Sequence, residues 1–285
     1  MKGKLIQTLI LILLIGLNLT LLVLYLVELR RTRLVTQEAV DRVVALYEAE
    51  QVEIHTEIPQ IVKRREAIAL RAADLDGMVV RFLGDAEYSR TYIYGNKIQY
   101  RSGTAVLMAD WGAHNINYRD SAYEENVESS GSDGELTEAE REMLMAAGRR
   151  FAEKWLGEDI MMMSSSGVGQ VLTMNFCQLQ EGELMYFNRV SVTLVPGGVR
   201  LAEIQYWDVD SDETKIESKP IDELLYQMLP QVSADMKRLQ VESDSVEEML
   251  DGYEIISYTR DTAIAYPNLT IVLGSGRYYH LRYTG

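Results

Sequence analysis

The sequence predicts an α+β fold: a single N-terminal transmembrane helix followed by two helix-plus-antiparallel-meander lobes. Three observations carry this. Residues 5–27 contain no charged side chain. A helix-then-strands pattern occurs twice, as in α+β layer domains. Between the two occurrences, residues 119–135 are polar and acidic, so they bury little and read as a linker or mobile loop.

The charge-free run, LIQTLILILLIGLNLTLLVLYLV, would be roughly 34 Å long as a helix at about 1.5 Å per residue, against a hydrocarbon core of about 30 Å. It exceeds the apolar stretch of a cleavable signal peptide, and the Glu-Leu-Arg-Arg-Thr-Arg that follows offers no small-residue cleavage site, so a retained signal anchor is favoured. Residues 1–33 carry five Lys and Arg against one Glu. That net +4 leaves −19 on the remainder of a chain whose total is −15. Such an acidic body is repelled by anionic headgroups and by nucleic acid, which places residues 1–4 in the cytoplasm and the body outside the cell, with no nucleic-acid partner. The lone Cys177 cannot form an internal disulfide, which fits a bacterial surface.

In the first lobe, residues 34–118, Thr36 caps a helix with Val40, Val43, Val44 and Tyr47 on one side. A short strand, VEIHTEIP, precedes a second helix through IVKRREAIALRAADL. Three strands follow in GMVVRFLG, TYIYGNKIQY and TAVLMADW, with Gly95-Asn96 as a tight turn.

In the second lobe, residues 136–285, Thr137 and Glu140 form a capping box, and Met143, Leu144, Ala147, Phe151 and Trp155 give one apolar face. Strands follow in GQVLTMNFCQL, LMYFNRVSVTLV and GVRLAEIQYWDV, where a change of apolar parity after Leu201 predicts a bulge. A helix from Pro220 is interrupted at Pro230, a short helix occupies SVEEML, and three strands close the chain. In the last two, Leu269, Ile271 and Leu273, then Tyr279, Leu281 and Tyr283, face the helices. Tyr278, His280 and Arg282 form the outer face, where a partner could dock.

Tests for chemistry point away from catalysis. Asp208, Asp210 and Asp212 match the first ligands of a calcium loop, but Glu213 stands where the turn needs glycine and Lys219 where the last carboxylate belongs, so this is an acidic turn. His55, His114, His280 and Cys177 lack metal-ligand spacing. The Gly167–Gly169 pair lacks a third glycine and a helix pattern behind it. A glycosidase pair cannot be picked out among 43 acidic residues. No catalytic residue, cofactor or metal is assigned. Asn18, near the middle of the span, is an amide that a second membrane helix would satisfy.

Several stretches together resemble the YycI-type regulatory proteins. Ile6-Gln7-Thr8 followed by Leu17-Asn18 is similar to the start of that family's membrane helix. GELMYFNRVSVTLVPGGVRLAEIQYWDV resembles its central strand pair. Gly252-Tyr253, Pro267, Tyr278-Tyr279 and the terminal Thr284-Gly285 follow its closing pattern. Leu269 stands where the family carries a tryptophan. The resemblance implies a single-pass, non-enzymatic accessory protein of Gram-positive bacteria. It would work beside a YycH-like sister protein on a WalK-type sensor histidine kinase that controls cell-wall metabolism. Gln7 and Asn18 are then candidate transmembrane contacts. The alternative is a membrane-anchored cell-wall polymer binding module or hydrolase that uses the tyrosine-rich sheets.

Overall fold

A computed structural model describes residues 13–25, 33–59, 61–62, 66–123, 135–215 and 219–283. Helix α1 occupies residues 13–25, and its described side chains are all exposed. The thirteen described residues of this helix rise about 20 Å. No helix among the described residues is long and apolar enough to cross a membrane; the remainder of the expected 5–27 span lies outside them.

Strand β1 (Arg33–Leu34) leads into α2 (Gln37–Ala49), where the Thr36 hydroxyl accepts from the Ala39 N–H. Strands β2 (Val52–Ile54), β3 (Ile61–Val62) and β4 (Glu66–Ala72) follow, then α3 (Leu75–Leu83). Two expectations are corrected here. The stretch read as a second helix holds strands β3 and β4, because β4 is clasped between two later strands and every residue's ladder bonds outweigh its helical pattern. GMVVRFLG, expected as a strand, is most of α3, started by the Asp74 carboxylate accepting from Gly77 N–H at 3.0 Å.

A meander of β5 (Ser89–Ile93), β6 (Lys97–Ser102), β7 (Ala105–Asp110) and β8 (Asn115–Asp120) comes next, with Gly95 and Asn96 both at positive φ in the first turn. Helix α4 (Glu138–Leu156) starts at the Thr137–Glu140 capping box and ends at Gly157. Its buried face includes Leu144, Phe151 and Trp155, while Met143 is exposed.

Strands β9 (Ile160–Val168), β10 (Val171–Gln180), β11 (Glu183–Val195) and β12 (Gly198–Gln205) are antiparallel neighbours. Thr193 faces Leu201 and Leu194 faces Val199, so Arg200 is the extra residue of the expected bulge. The acidic stretch lies in strand β13 (Trp207–Lys215) rather than a turn. Val209 pairs with Leu70 and Glu213 with Ile68, so residues 210–212 loop out of the ladder.

Helix α5 (Ile221–Leu239) runs through Pro230 without ending. The expected helix at SVEEML is instead the first half of β14 (Asp244–Tyr258), paired with β2 on one side and with β15 (Thr262–Leu273) on the other. Strand β16 (Tyr278–Arg282) closes the chain's described part.

The result is a mixed α+β fold, with five α-helices among the described residues and a large sheet. Its order is β13-β4-β15-β14-β11-β12-β8-β7-β6-β5, and β10, β9, β16 and β2 join beside this path. Pairing is antiparallel except at β11–β14 and β14–β2.

Two main cores lie against this sheet. In one, α3 and α4 pack on the meander and on β10–β12, with Phe82 and Trp155 stacked at 4.4 Å. In the other, α2 and α5 cover Leu269, Ile271, Leu273 and Tyr279 of the last two strands, and Tyr283 just after them. The cores do not divide at residues 119–135 as the sequence suggests. The first joins residues 73–116 to 144–204, and the second joins 35–58 to 221–283. Strand β4 is the physical reason: it is held between β13 and β15, so the N-terminal segment belongs with the C-terminal one.

Candidate functional site: a cleft beside the C-terminal hairpin

Alternation along β10, β11 and β12 sends Met174, Val190, Val192 and Ile204 into the core beneath α4, and polar side chains to the other face. The strand registers then align them. Ser164, Asn175, Ser191, Glu203 and Asn117 stand opposite one another across five strands, and Arg189, Gln205 and Asn115 form a second row. Within these rows the Asn175 amide donates to Ser164 Oγ at 2.9 Å, and the Asn115 amide donates to Glu203 Oε1 at 3.2 Å.

One end of this face is walled by aromatic rings from two elements. Tyr186 of β11 lies 5.5 Å from the ring of His280 on β16 at an interplanar angle of 33°, and Tyr278 continues the row 6.5 Å from His280 at 20°. The Tyr186 hydroxyl is hydrogen-bonded to Thr270 Oγ1, and Thr270 is fully buried, which fixes the ring. Burial also raises the Tyr186 pKa, so the phenol stays protonated. Between wall and polar rows is a cleft of about 340 Å³, floored by Asn175, Arg189, Ser191, Glu203 and Gln205 and backed by Met163, Phe176 and Cys177. Burial pushes the Cys177 thiol up to about 12, which removes its thiolate chemistry at neutral pH.

Of the residues singled out in the sequence, Tyr278, His280 and Arg282 share the outer face of β16. His280 Nε2 lies 3.8 Å and Arg282 Nε 3.6 Å from the Glu254 carboxylate. Tyr278 lines the cleft, while Tyr279 and Tyr283 turn inward. Asn18 lies in α1, where its amide donates to Leu14 O at 3.0 Å, so one of its N–H groups is satisfied inside its own helix. Gln7 lies outside the described residues. Sequence reasoning missed Tyr186, Arg189, Glu203 and Gln205. The alternation of Ser191 and Thr193 with valines marked an outward face, but which strands would lie beside it depends on register.

A second, wider depression of about 760 Å³ lies beside α2, β2 and β14, lined by Glu48, Glu53, His55 and Asp244 among others. His55 is held there between Glu53, at 3.0 Å, and Glu247, at 2.9 Å. It offers carboxylates, serines and the His55 imidazole but no tyrosine, so the first cleft is the better-built site.

No protein-family model matches the chain, and no curated protein matches it. Among solved structures it is similar to a protein of Eubacterium rectale, at 11% identity over 78% of this chain and 80% of that one, with a TM-score of 0.42. It is also similar to the Bacillus megaterium YpeB C-terminal domain, at 11% identity over 75% of this chain and 100% of that one, with a TM-score of 0.34. The YycI-type resemblance therefore rests on the sequence motifs alone.

Proposed function

We propose that the chain is a membrane-anchored accessory protein whose body lies outside the cell and which modulates a WalK-type sensor histidine kinase together with a YycH-like sister protein. The observation that carries the membrane part is α1. Leu13, Leu19 and Leu24 are 66%, 62% and 59% exposed, and among the described residues none of 13–25 belongs to a core cluster. An apolar helix left out of every core needs another apolar medium, and a bilayer supplies one. The regulatory part rests on the YycI-type motifs. Lobes built mainly from antiparallel sheet offer broad surfaces for partner proteins, and a signal acts on the kinase by binding one state of the complex more tightly.

Membrane fractionation of cells expressing the full chain tests this reading. The protein is expected to resist alkaline carbonate extraction, to lose that resistance when residues 1–33 are deleted, and to be degraded by protease added outside. A carbonate-extractable full chain, or a body protected from external protease, contradicts it. Kinase output in a deletion strain tests the regulatory part separately.

The cleft favours a second reading, in which the body also binds a cell-wall polymer. Glu203, the one carboxylate among the cleft's lining residues, already accepts from Asn115, which favours binding over hydrolysis.

A further inference from the structure

We infer that the cleft between the polar rows and the wall of Tyr186 and Tyr278 binds a saccharide that carries an acetamido group. This names the ligand class for the polymer-binding reading, on which it rests, and does not depend on the kinase reading.

The wall comes first. Tyr186 and Tyr278 both line the cleft, and the C–H-rich face of a sugar ring packs on aromatic side chains while its hydroxyls point away. The Thr270 hydroxyl holds Tyr186 in place before any ligand arrives, which lowers the ordering cost of binding.

The floor matches the rest of a sugar. Asn175, Ser191 and Gln205 each both donate and accept hydrogen bonds, as hydroxyl and amide groups require. Arg189 and Glu203 balance in charge, so in a chain of net −15 the cleft itself is locally neutral. Such a floor suits an uncharged ligand better than a phosphate, which would gain one cation and meet one carboxylate. The backing side chains of Met163 and Cys177 are apolar and can take a methyl group, with side-chain amides of Asn175 and Gln205 nearby for the adjoining carbonyl and N–H. The volume, about 340 Å³, falls within the range of about 300–1,000 Å³ that small-ligand sites occupy.

The polar row from Ser164 to Asn117 runs past the cleft across five strands. At about 4.8 Å between strands it is about 19 Å long, enough to support an oligomer and not only one ring.

The test uses the full chain in detergent, titrated by calorimetry with a tetramer of N-acetylglucosamine and, separately, with a tetramer of glucose, which has the same ring and lacks the acetamido group. Saturable binding is expected for the first and binding at least about tenfold weaker for the second, with a saturation-transfer signal on the acetamido methyl. Tyr278→Ala and Gln205→Ala are each expected to weaken binding by about tenfold with an unchanged circular-dichroism melt. Tyr92→Ala, at an exposed tyrosine on β5, is expected to change nothing. Absence of saturable binding, equal affinity for both tetramers, or equal loss from Tyr92→Ala would overturn the inference. Should Tyr278→Ala melt early, Gln205→Ala and the methyl signal decide it.

Discussion

The imidazole of His114 lies against the indole of Trp207, with ring centroids 4.0 Å apart and planes 32° apart. His114 sits in the turn between β7 and β8 at φ 51°, and Trp207 opens β13 within the small cluster of Leu70, Phe187 and Tyr253. The contact thus joins the meander of the first core to the strands that lead to the second, and Tyr258 meets His114 edge-on at 5.9 Å.

His114 is only 3% exposed, and burial holds its pKa below the ordinary 6.5, against the opposing pull of the Thr259 carbonyl, Asp261 and Asp110. The folded state therefore binds this proton less tightly than the unfolded state. Stability falls as pH drops from about 6.5 towards the lowered folded value, and is insensitive to this group above 6.5. Melting temperatures measured between pH 5 and 8 should show this acid-side loss, and His114→Phe should flatten it even if the variant starts lower. An unchanged slope in the variant would assign the loss to other groups.

His55 has the opposite sign. Glu53 first and then Glu247 raise its pKa, so its stabilising contribution is present below about 6.5 and is lost as pH rises through the raised folded value. His55→Gln should lower the melting temperature at pH 5.5 and leave it nearly unchanged at pH 8.5. The ion pair ties β2 to β14 at an exposed site, so salt should shrink the difference.

Gly252 marks the parallel contact between β14 and β11. A Cβ there would lie 2.7 Å from Leu184 O and 3.0 Å from Asn268 Oδ1, and the first of these is backbone that cannot rotate away. Gly252→Ala should destabilise by about 1–3 kcal/mol in urea unfolding, as other overpacked sites do. A variant as stable as the parent would mean that the two strands separate more easily than the pairing suggests.

Tyr47 is completely buried, and its hydroxyl donates to Leu225 O at 2.9 Å, pinning α2 to α5. Tyr47→Phe should cost about 1 kcal/mol, the net worth of one such bond, and Tyr47→Ala about 3–5 kcal/mol. Urea titration of both variants measures the difference.

Much of the fold was legible where local chemistry decides it. The Thr137–Glu140 box, the Gly95-Asn96 turn and the alternation of Leu269, Ile271 and Leu273 all act within a few residues, and each has its expected structure. Strand β4 was not legible, since its Ile68 and Leu70 read equally well on a helix until β13 and β15 are seen beside them. The same holds for the division into cores, which depends on pairings such as β2 with β14, almost 200 residues apart. Of the cleft's lining, Tyr278 was visible on the outer face of the last strand. The floor of Asn175, Ser191 and Glu203 exists only because three strands share one register.

The central claim is that α1 lies in the membrane beside a sensor kinase. Asn18 already bonds within its helix, yet an amide keeps further hydrogen-bonding capacity that a neighbouring span can use, worth about 0.6–2 kcal/mol. Asn18→Leu should therefore weaken co-purification with the kinase while the body stays folded. The most direct measurement places a photo-crosslinking residue at position 18 and identifies the adducts formed in native membranes. The account predicts a covalent adduct with a membrane-spanning sensor histidine kinase; adducts with lipid alone, from a chain that is intact and membrane-bound, would contradict it.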